Sequence, residues 1–365
     1  MAKKAVVSQG SIQPASLKSL AEHLGLSPST ISVVLNDTPG RSIPEATRER
    51  VRQAAIKFNY RPSLIGRTLQ GKSMKTIGIL LPVLGEAYHA QIVSGVGNLL
   101  LDRGFFYFTA HHGYKPELIR EYPSLLHARG VDGILALDTH LQQTLPLPAV
   151  LIAGQTDLPK ITNVVLDHAH AAKLALGHLH ALGHRHIVFM KGQRFSADTQ
   201  ERWTATMAVA KDLGLSVDPR LIVELEADST SPEIAYPGIH RLLESSQSDR
   251  VRRGLDFTAV LCFNDLSAIG TIRALHDAGL RVPEDVSVLG FDDVEAAPFH
   301  VPSLTTIRQP LQQMGAVAAD ALLRKIGGED LPRIIRIEPE LIVRESTSRL
   351  VPQSKGRRAV RMVGA

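Results

Sequence analysis

The sequence predicts a small all-α helix-turn-helix head followed by an α/β body made of two doubly wound parallel-sheet subdomains. Three observations lead there. Residues 16–60 hold three short helical stretches around a Gly25-Leu26-Ser27-Pro28 turn. From Thr76 onward, apolar strand-like runs alternate with helical ones, the pattern of parallel α/β sheets. Charge divides at the same point: residues 1–75 carry 12 Lys and Arg against 4 Asp and Glu, and residues 76–349 carry 25 against 32. A basic head on an acidic body places the polyanion-binding surface at the N-terminus, because phosphate neutralisation drives most non-specific DNA affinity. A merely solvated charge run fits less well, since these charges lie within periodic helices.

A chain of 365 residues is expected to form two or three domains. The single cysteine, Cys262, excludes an intramolecular disulfide framework and suits a reducing compartment. No apolar run reaches the length of a transmembrane helix, and residues 1–13 lack the apolar core of a signal peptide. These features lead to the expectation of a cytoplasmic protein with no membrane partner.

In the head, residues 17–24 are apolar-periodic. The second helix opens with Ser27 as N-cap and Pro28 at the first helical position, then runs through Ser29, Thr30, Ser32 and Val33 to Asn36. Such a helix can lay its N-terminal end in the major groove of DNA. A third helix over 45–58 completes a small core from Leu17, Leu20, Leu24, Ile31, Leu35, Val51 and Phe58. It must stop at Asn59-Tyr60-Arg61-Pro62, because the residue before proline is pushed out of helical geometry. The segment 64–70 is too short for a stable isolated helix, and Gly66 weakens it by a further ~1 kcal/mol relative to Ala. It is expected to be disordered alone and to fold on DNA.

In the body, strands are expected at 77–81, 105–109, 133–137, 149–152, 186–190, 221–225, 259–262 and 286–289. Helices are expected at 90–103, 168–182, 202–213 and 266–278. A last part, 304–344, holds a helix over 309–326 and two strand-like runs. Eight strands exceed what one lobe needs, hence two. Open α/β sheets bind ligands at the carboxyl ends of their strands. Tyr88 and His89 follow the first strand, His111 the second, Asn264 follows Cys262-Phe263, and Asp292 follows Gly290-Phe291.

His178, His180, His184 and His186 crowd one stretch, and His111-His112 form another. Gly183 interrupts the helix between the i, i+4 pair and no acidic or Cys partner is near, so no metal is assigned. There is no Walker A loop, no Gly-x-Ser-x-Gly elbow and no Gly-x-Gly-x-x-Gly after a strand, which argues against an enzyme, and no cofactor is expected.

Several motifs, in order, resemble the lactose-repressor (LacI/GalR) family of bacterial regulators over about residues 16–347. They include Ser29-Thr30-Ile31-Ser32-Val33-Val34-Leu35-Asn36, Thr47-Arg48-Glu49-Arg50-Val51 and Asn59-Tyr60-Arg61-Pro62. In the body they include Gly130-Val131-Asp132-Gly133-Ile134, Leu182-Gly183-His184-Arg185-His186-Ile187, Phe263-Asn264-Asp265, the run 283–293, and Leu304-Thr305-Thr306-Ile307. The resemblance implies a homodimer on a pseudo-palindromic operator, with a two-lobed body like that of periplasmic sugar-binding proteins. It implies a leader at 1–15, a DNA-binding domain at 16–60 and a hinge at 61–75. An effector-binding and dimerisation domain follows at 76–345, then a flexible basic tail at 346–365.

The same resemblance places DNA contacts at Ser16, Leu17, Ser27, Pro28, Ser29, Thr30, Ser32, Val33 and Asn36, with Gly66 and Leu69 in the hinge. Leu69 matches a leucine that family dimers wedge into the minor groove. Val33 stands where many members carry Arg, so an apolar contact to a thymine methyl replaces an Arg–guanine pair. The effector site implied is Tyr88, His89, His111, Arg202, Trp203, Asn264 and Asp292. Asp292 and Arg202 supply the acceptor and the fork donor for a polyhydroxylated, sugar-like ligand, with Trp203 or Tyr88 to pack on its apolar face. Each of these side chains has a plainer reading as a surface or cleft-lining group. Ala153-Gly154 replaces a polar pair common in the family. The rival function, a sugar receptor without DNA binding, conflicts with the basic head.

Overall fold

The computed structural model describes residues 16–35, 42–60, 73–225, 231–253 and 256–351. Asn36, Gly66, Leu69, the leader, the expected hinge up to residue 72 and the chain beyond 351 lie outside the described residues. The chain divides into two compact units between Met74 and Lys75.

The head forms because three short helices share one apolar cluster. Helix α1 (Leu17–Leu24) starts at Ser16, whose hydroxyl accepts from the Ser19 amide at 3.0 Å while Ser19 Oγ answers the Ser16 amide at 2.9 Å. This reciprocal cap satisfies two otherwise orphan donors. Gly25, at φ 66°, ends α1 and turns the chain into α2 (Pro28–Leu35). Helix α3 (Glu45–Lys57) is mostly polar, yet turns Val51, Ala54 and Ala55 onto Leu20, Ile31 and Val34. Leu20, Ile31 and Val51 are fully buried, each worth roughly 1.5–3 kcal/mol of hydrophobic stabilisation. A domain this small depends on all three.

The body begins with β1 (Thr76–Leu81), buried along its whole length as a central parallel strand must be. It is followed by α4 (Ala87–Asp102), β2 (Phe106–His111), α5 (Pro116–Ala128), β3 (Gly133–Leu137), β4 (Ala149–Ile152) and β5 (Ile161–Leu166). The chain then crosses to a second lobe with α6 (His168–Ala181), β6 (Ile187–Lys191), α7 (Thr199–Asp212) and β7 (Ile222–Glu224). The lobe continues through α8 (Tyr236–Arg253), β8 (Ala259–Leu261), α9 (Asp265–Asp277), β9 (Ser287–Asp292) and β10 (Thr305–Arg308). Helix α10 (Leu311–Ile326) returns to the first lobe and leads to β11 (Ile334–Ile337), after which β12 (Glu340–Ile342) ends in the second.

Each lobe is one six-stranded sheet, ordered β11-β5-β4-β3-β1-β2 in the first and β12-β10-β9-β8-β6-β7 in the second. Among the described residues, every strand pairing is parallel except β10 with β12. The return of α10 is sealed by glycines: a Cβ on Gly95 would lie 2.0 Å from Gln312 O, and one on Gly315 2.1 Å from Ile92 O. Any side chain there would force α4 and α10 apart.

The structure adds elements to the expected series. Strand β5 escaped notice because Asn163 interrupts its apolar run. Asn163 is fully buried, donating to Thr156 O and Arg333 O and accepting from the Thr156 amide. The expected boundary at 345/346 also moves. Ser346 is fully buried and bonded to Val288 O and the Thr305 amide, and Leu350 N donates to Leu182 O, so residues 346–351 belong to the body. Their hold is hydroxyl and backbone bonding, which carries no hydrophobic periodicity.

Candidate functional site

The polar end of α2 and the cleft between the two lobes are the chemically equipped places. In α2, Ser27 Oγ accepts from the Thr30 amide at 3.1 Å and lies 2.8 Å from both Ser29 Oγ and Thr30 Oγ1. Ser27, Pro28 and Ser29 are exposed, while Thr30, Ser32 and Val33 are half-buried. Ser16 is committed to capping α1, and Leu17 packs against the head core.

The body cleft is lined from the first lobe by Glu86, Tyr88, His89, Tyr114 and Asp138, and from the second by Gln193, Phe195, Ser196, Arg202, Phe263, Asn264 and Asp292. Arg202, one turn into α7, is locked on several sides. Nη1 donates to Phe263 O at 2.7 Å and Nη2 to Asp198 Oδ2 at 2.6 Å. The guanidinium carbon sits 4.5 Å and 3.9 Å from the ring centroids of Phe263 and Phe291. Asp198 is held in turn by His168 Nε2 at 2.5 Å. Burial opposes the Asp198 charge, but His168 and Arg202 outweigh it and hold the carboxyl well below its ordinary range. Arg202 Nε is buried without a protein partner.

Asp292 ends β9 at φ 113°, a conformation costly for any residue but glycine. Its Oδ1 accepts from Gln309 Nε2 at 2.6 Å, and the other side of that amide, Gln309 Oε1, is buried and unpartnered. Burial pushes the Asp292 carboxyl well above its ordinary value, although Arg202 pulls the other way.

The first lobe answers with Asp138, directly after β3 and also at positive φ, 43°. Its Oδ2 accepts from Tyr114 OH at 2.9 Å. Its Oδ1 crosses the cleft to accept from the Ala197 amide at 2.7 Å and Ser196 Oγ at 3.2 Å. The Tyr114 and Phe195 rings meet across the same gap, centroids 4.1 Å apart. Gly154 permits this approach, since a Cβ there would stand 2.7 Å from Ala197 Cβ. His89 lies 2.8 Å from Glu86 Oε2 and 3.6 Å from Asp138 Oδ2. Burial works against the charged imidazole, but the two carboxylates outweigh it and push its pKa up to about 9.

Tyr88, His89, Arg202, Asn264 and Asp292 thus come together at one cleft. His111 does not: it is exposed on the edge strand β2, and period-2 alternation buries His112 instead. Burial lowers His112 to about 4, and its Nε2 pairs with Thr139 Oγ1 at 3.0 Å. Trp203 turns away from the cleft into a separate cavity behind Arg202, with Lys191 5.6 Å from its ring centroid. Asn264 caps α9, its Oδ1 accepting from the Ser267 amide at 2.9 Å. Glu86, Tyr114, Asp138, Asp198 and Gln309 were not read from the sequence. Asp138 alone had a usable signal, its place at the end of a central strand.

Two of the crowded histidines, His178 and His184, have structural partners. His178 Nε2 meets Thr347 Oγ1 at 2.9 Å, and His184 bonds Thr258 Oγ1 and Ser348 O. Among the described residues, no three His, Cys, Asp or Glu side chains are grouped to hold a metal, and no helix is long and apolar enough to cross a membrane.

Comparison with known proteins completes the site. Residues 16–63 match the bacterial regulatory proteins of the lacI family, and residues 176–347 match the periplasmic binding protein-like domain. The HTH-type transcriptional repressor PurR of Aliivibrio fischeri (strain MJ11) is 31% identical over 341 residues, covering 91% of this chain and 98% of that protein. The repressor of the same name from Haemophilus influenzae (strain PittEE) is 30% identical over 352 residues, covering 92% and 100%. The lac repressor dimer bound to operator and the anti-inducer ONPF superposes with a TM-score of 0.80 at 26% identity, covering 92% of this chain and 100% of that one. The CelR–cellobiose complex gives 0.67 at 27% identity, covering 91% and 99%. The chain belongs to the lacI family of bacterial regulatory proteins. It is a transcriptional regulator with a DNA-binding head and a ligand-binding body, not an enzyme.

Proposed function

We propose that this regulator is a cytoplasmic repressor that binds a pseudo-palindromic operator as a homodimer, and that a small carbohydrate held between the lobes switches its operator affinity. The observation that carries the effector reading is the convergence of Arg202, Asp292 and Asp138 on one cleft, with Arg202 Nε buried and unpartnered. A buried donor without a partner is costly, so a ligand offering an acceptor gains by meeting it. The likeness to a cellobiose-bound relative supports the same reading. Tyr88, His89, Asn264, Arg202 and Asp292 are the assigned effector contacts; His111 and Trp203 are left out.

The cleft holds a cavity of about 40 Å³, against the ~150 Å³ that takes a benzene-sized ligand. Entry therefore requires the lobes to part, breaking the Asp138 bonds to Ser196 and Ala197. Re-closure on the effector then shifts the balance between body conformations. Homodimer formation is supported by apolar side chains exposed in both lobes, Phe106 and Phe108 on β2 and Phe299 and Val301 before β10. In the head, the exposed Pro28 and Ser29 and the half-buried Val33 are assigned to base readout, Thr30, Ser32 and Asn36 to phosphate contact, Ser16, Leu17 and Ser27 to further DNA contacts, and Gly66 and Leu69 to the hinge at the operator centre.

The test is a gel shift on the protein's own upstream region, with and without candidate sugars, nucleobases and sugar acids, joined to a thermal-shift screen of the same compounds. A specific shift whose strength changes with a sugar is expected. No shift at any low salt concentration sinks the DNA reading. Replacing Val33 with Arg should move the preferred half-site toward guanine.

A further inference from the structure

The cleft's own charges say which effectors it can take. Glu86 and Asp138 face it as carboxylates and Asp292 as a carboxyl whose charge burial resists, against Arg202 and the His89 that lies between the first two. Neither cation is free to balance an incoming negative group. Arg202 is spent on Asp198, and His89 sits between Glu86 and Asp138. The environment resists even its resident charge: burial raises the Asp292 carboxyl well above its ordinary value despite Arg202 nearby, with Asp265 and Glu86 adding to the effect. Of the cleft-lining side chains, Arg202 Nε, Glu86 Oε2 and the two His89 ring nitrogens are buried without a hydrogen bond; the last three face one another as an ion pair, which leaves the Arg202 N–H to suit a neutral hydroxyl or carbonyl acceptor.

We propose that this cleft is selective by charge, admitting uncharged or amine-bearing polyhydroxy ligands and excluding phosphorylated or carboxylate forms of the same molecules, with Glu86 and Asp292 as the excluding residues. The inference rests on the effector reading above and narrows it. Introducing a phosphate would place a dianion beside the Glu86 carboxylate and a buried Asp292 carboxyl that already resists charge, where repulsion is poorly screened and desolvation of a further anion is costly.

Thermal shift with matched sets tests it: a hexose, its amino sugar, its 6-phosphate and its uronic acid, and likewise a pentose and its phosphate. Inorganic phosphate serves as a bare anion probe. In wild-type protein the neutral or amine member should raise Tm at concentrations at least tenfold below those its anionic partner needs, and phosphate should give no Arg202-dependent shift. In the double variant Glu86→Gln, Asp292→Asn, inorganic phosphate should raise Tm, and the added substitution Arg202→Lys should weaken that gain. A sugar phosphate or acid that matches its neutral parent in wild type overturns the proposal. So does an Arg202-dependent phosphate shift in wild type, or its absence in the double variant. Should every sugar prove silent, the carbohydrate reading fails, while the phosphate measurements still decide the charge rule. Chemical denaturation of the double variant shows that it folds.

Discussion

The two walls of the cleft end their central strands in the same way and use the result differently. Asp138 after β3 and Asp292 at the end of β9 are both acids at positive φ, facing one another across the lobes. Asp138 spends its oxygens on a Tyr114 hydroxyl and on two donors from the opposite lobe. Asp292 is held within its own lobe by Gln309, beside an arginine tied elsewhere. One wall carries a permanent cation, Arg202; the other carries a cation, His89, that exists because two carboxylates hold its proton. The comparison teaches that the second lobe ties its ionic groups down internally, whereas the first lobe's Asp138 is bonded across the cleft.

Breaking the fixed wall should cost most. Arg202→Ala leaves Asp198 buried with His168 as its one remaining ionic partner, and removing one member of a buried pair typically costs about 3–5 kcal/mol. Urea denaturation should report that loss, and effector-dependent shifts should vanish with it.

The wall that depends on protonation should reveal itself by pH. The folded-state pKa of His89 stands above its ordinary value, at about 9. Its contribution to stability is therefore complete below pH ~6.5 and lost as pH rises through about 9. Wild-type Tm should fall across that window more steeply than that of His89→Gln. Parallel curves would show that Glu86 and Asp138 do not hold the proton.

A smaller effect sharpens the contrast between the walls. Asp138→Ala removes the acceptor for the Ala197 amide, which should cost about 1–3 kcal/mol and speed hydrogen exchange at that amide. Asp292→Asn should leave Ala197 exchange unchanged, because Asp292 makes no bond to that loop. Smallest of all, Ser16→Ala should cost the head ~1 kcal/mol by removing the α1 cap, with no effect on the cleft.

Much of the architecture was legible before any coordinate. Ser27-Pro28, Gly25 and the strand–helix alternation are local signals, because caps, turns and burial periodicity act over a few residues. Arg202, Asp292, Asn264, Tyr88 and His89 could be named from motif and strand-end position, and all reach the cleft. Asn163 hid β5 because its partners, Thr156 and Arg333, are set by the fold. His111 and Trp203 were misplaced for a geometric reason: one residue of register on a strand, or one step around a helix, turns a side chain to another face.

The sequence by itself determined the helix-turn-helix head, the two-lobed α/β body and the charge that divides them, since composition and periodicity follow from which residues must be buried. Only the tertiary structure decided that Asp138 bridges to Ala197, that Gln309 holds Asp292, and that His178 and His184 bond to the segment 347–348. Those contacts join residues 17 to 169 positions apart, and no local preference encodes them. The Asp138 bridge arises where the chain, crossing three times between its lobes, brings their loops together across one cleft.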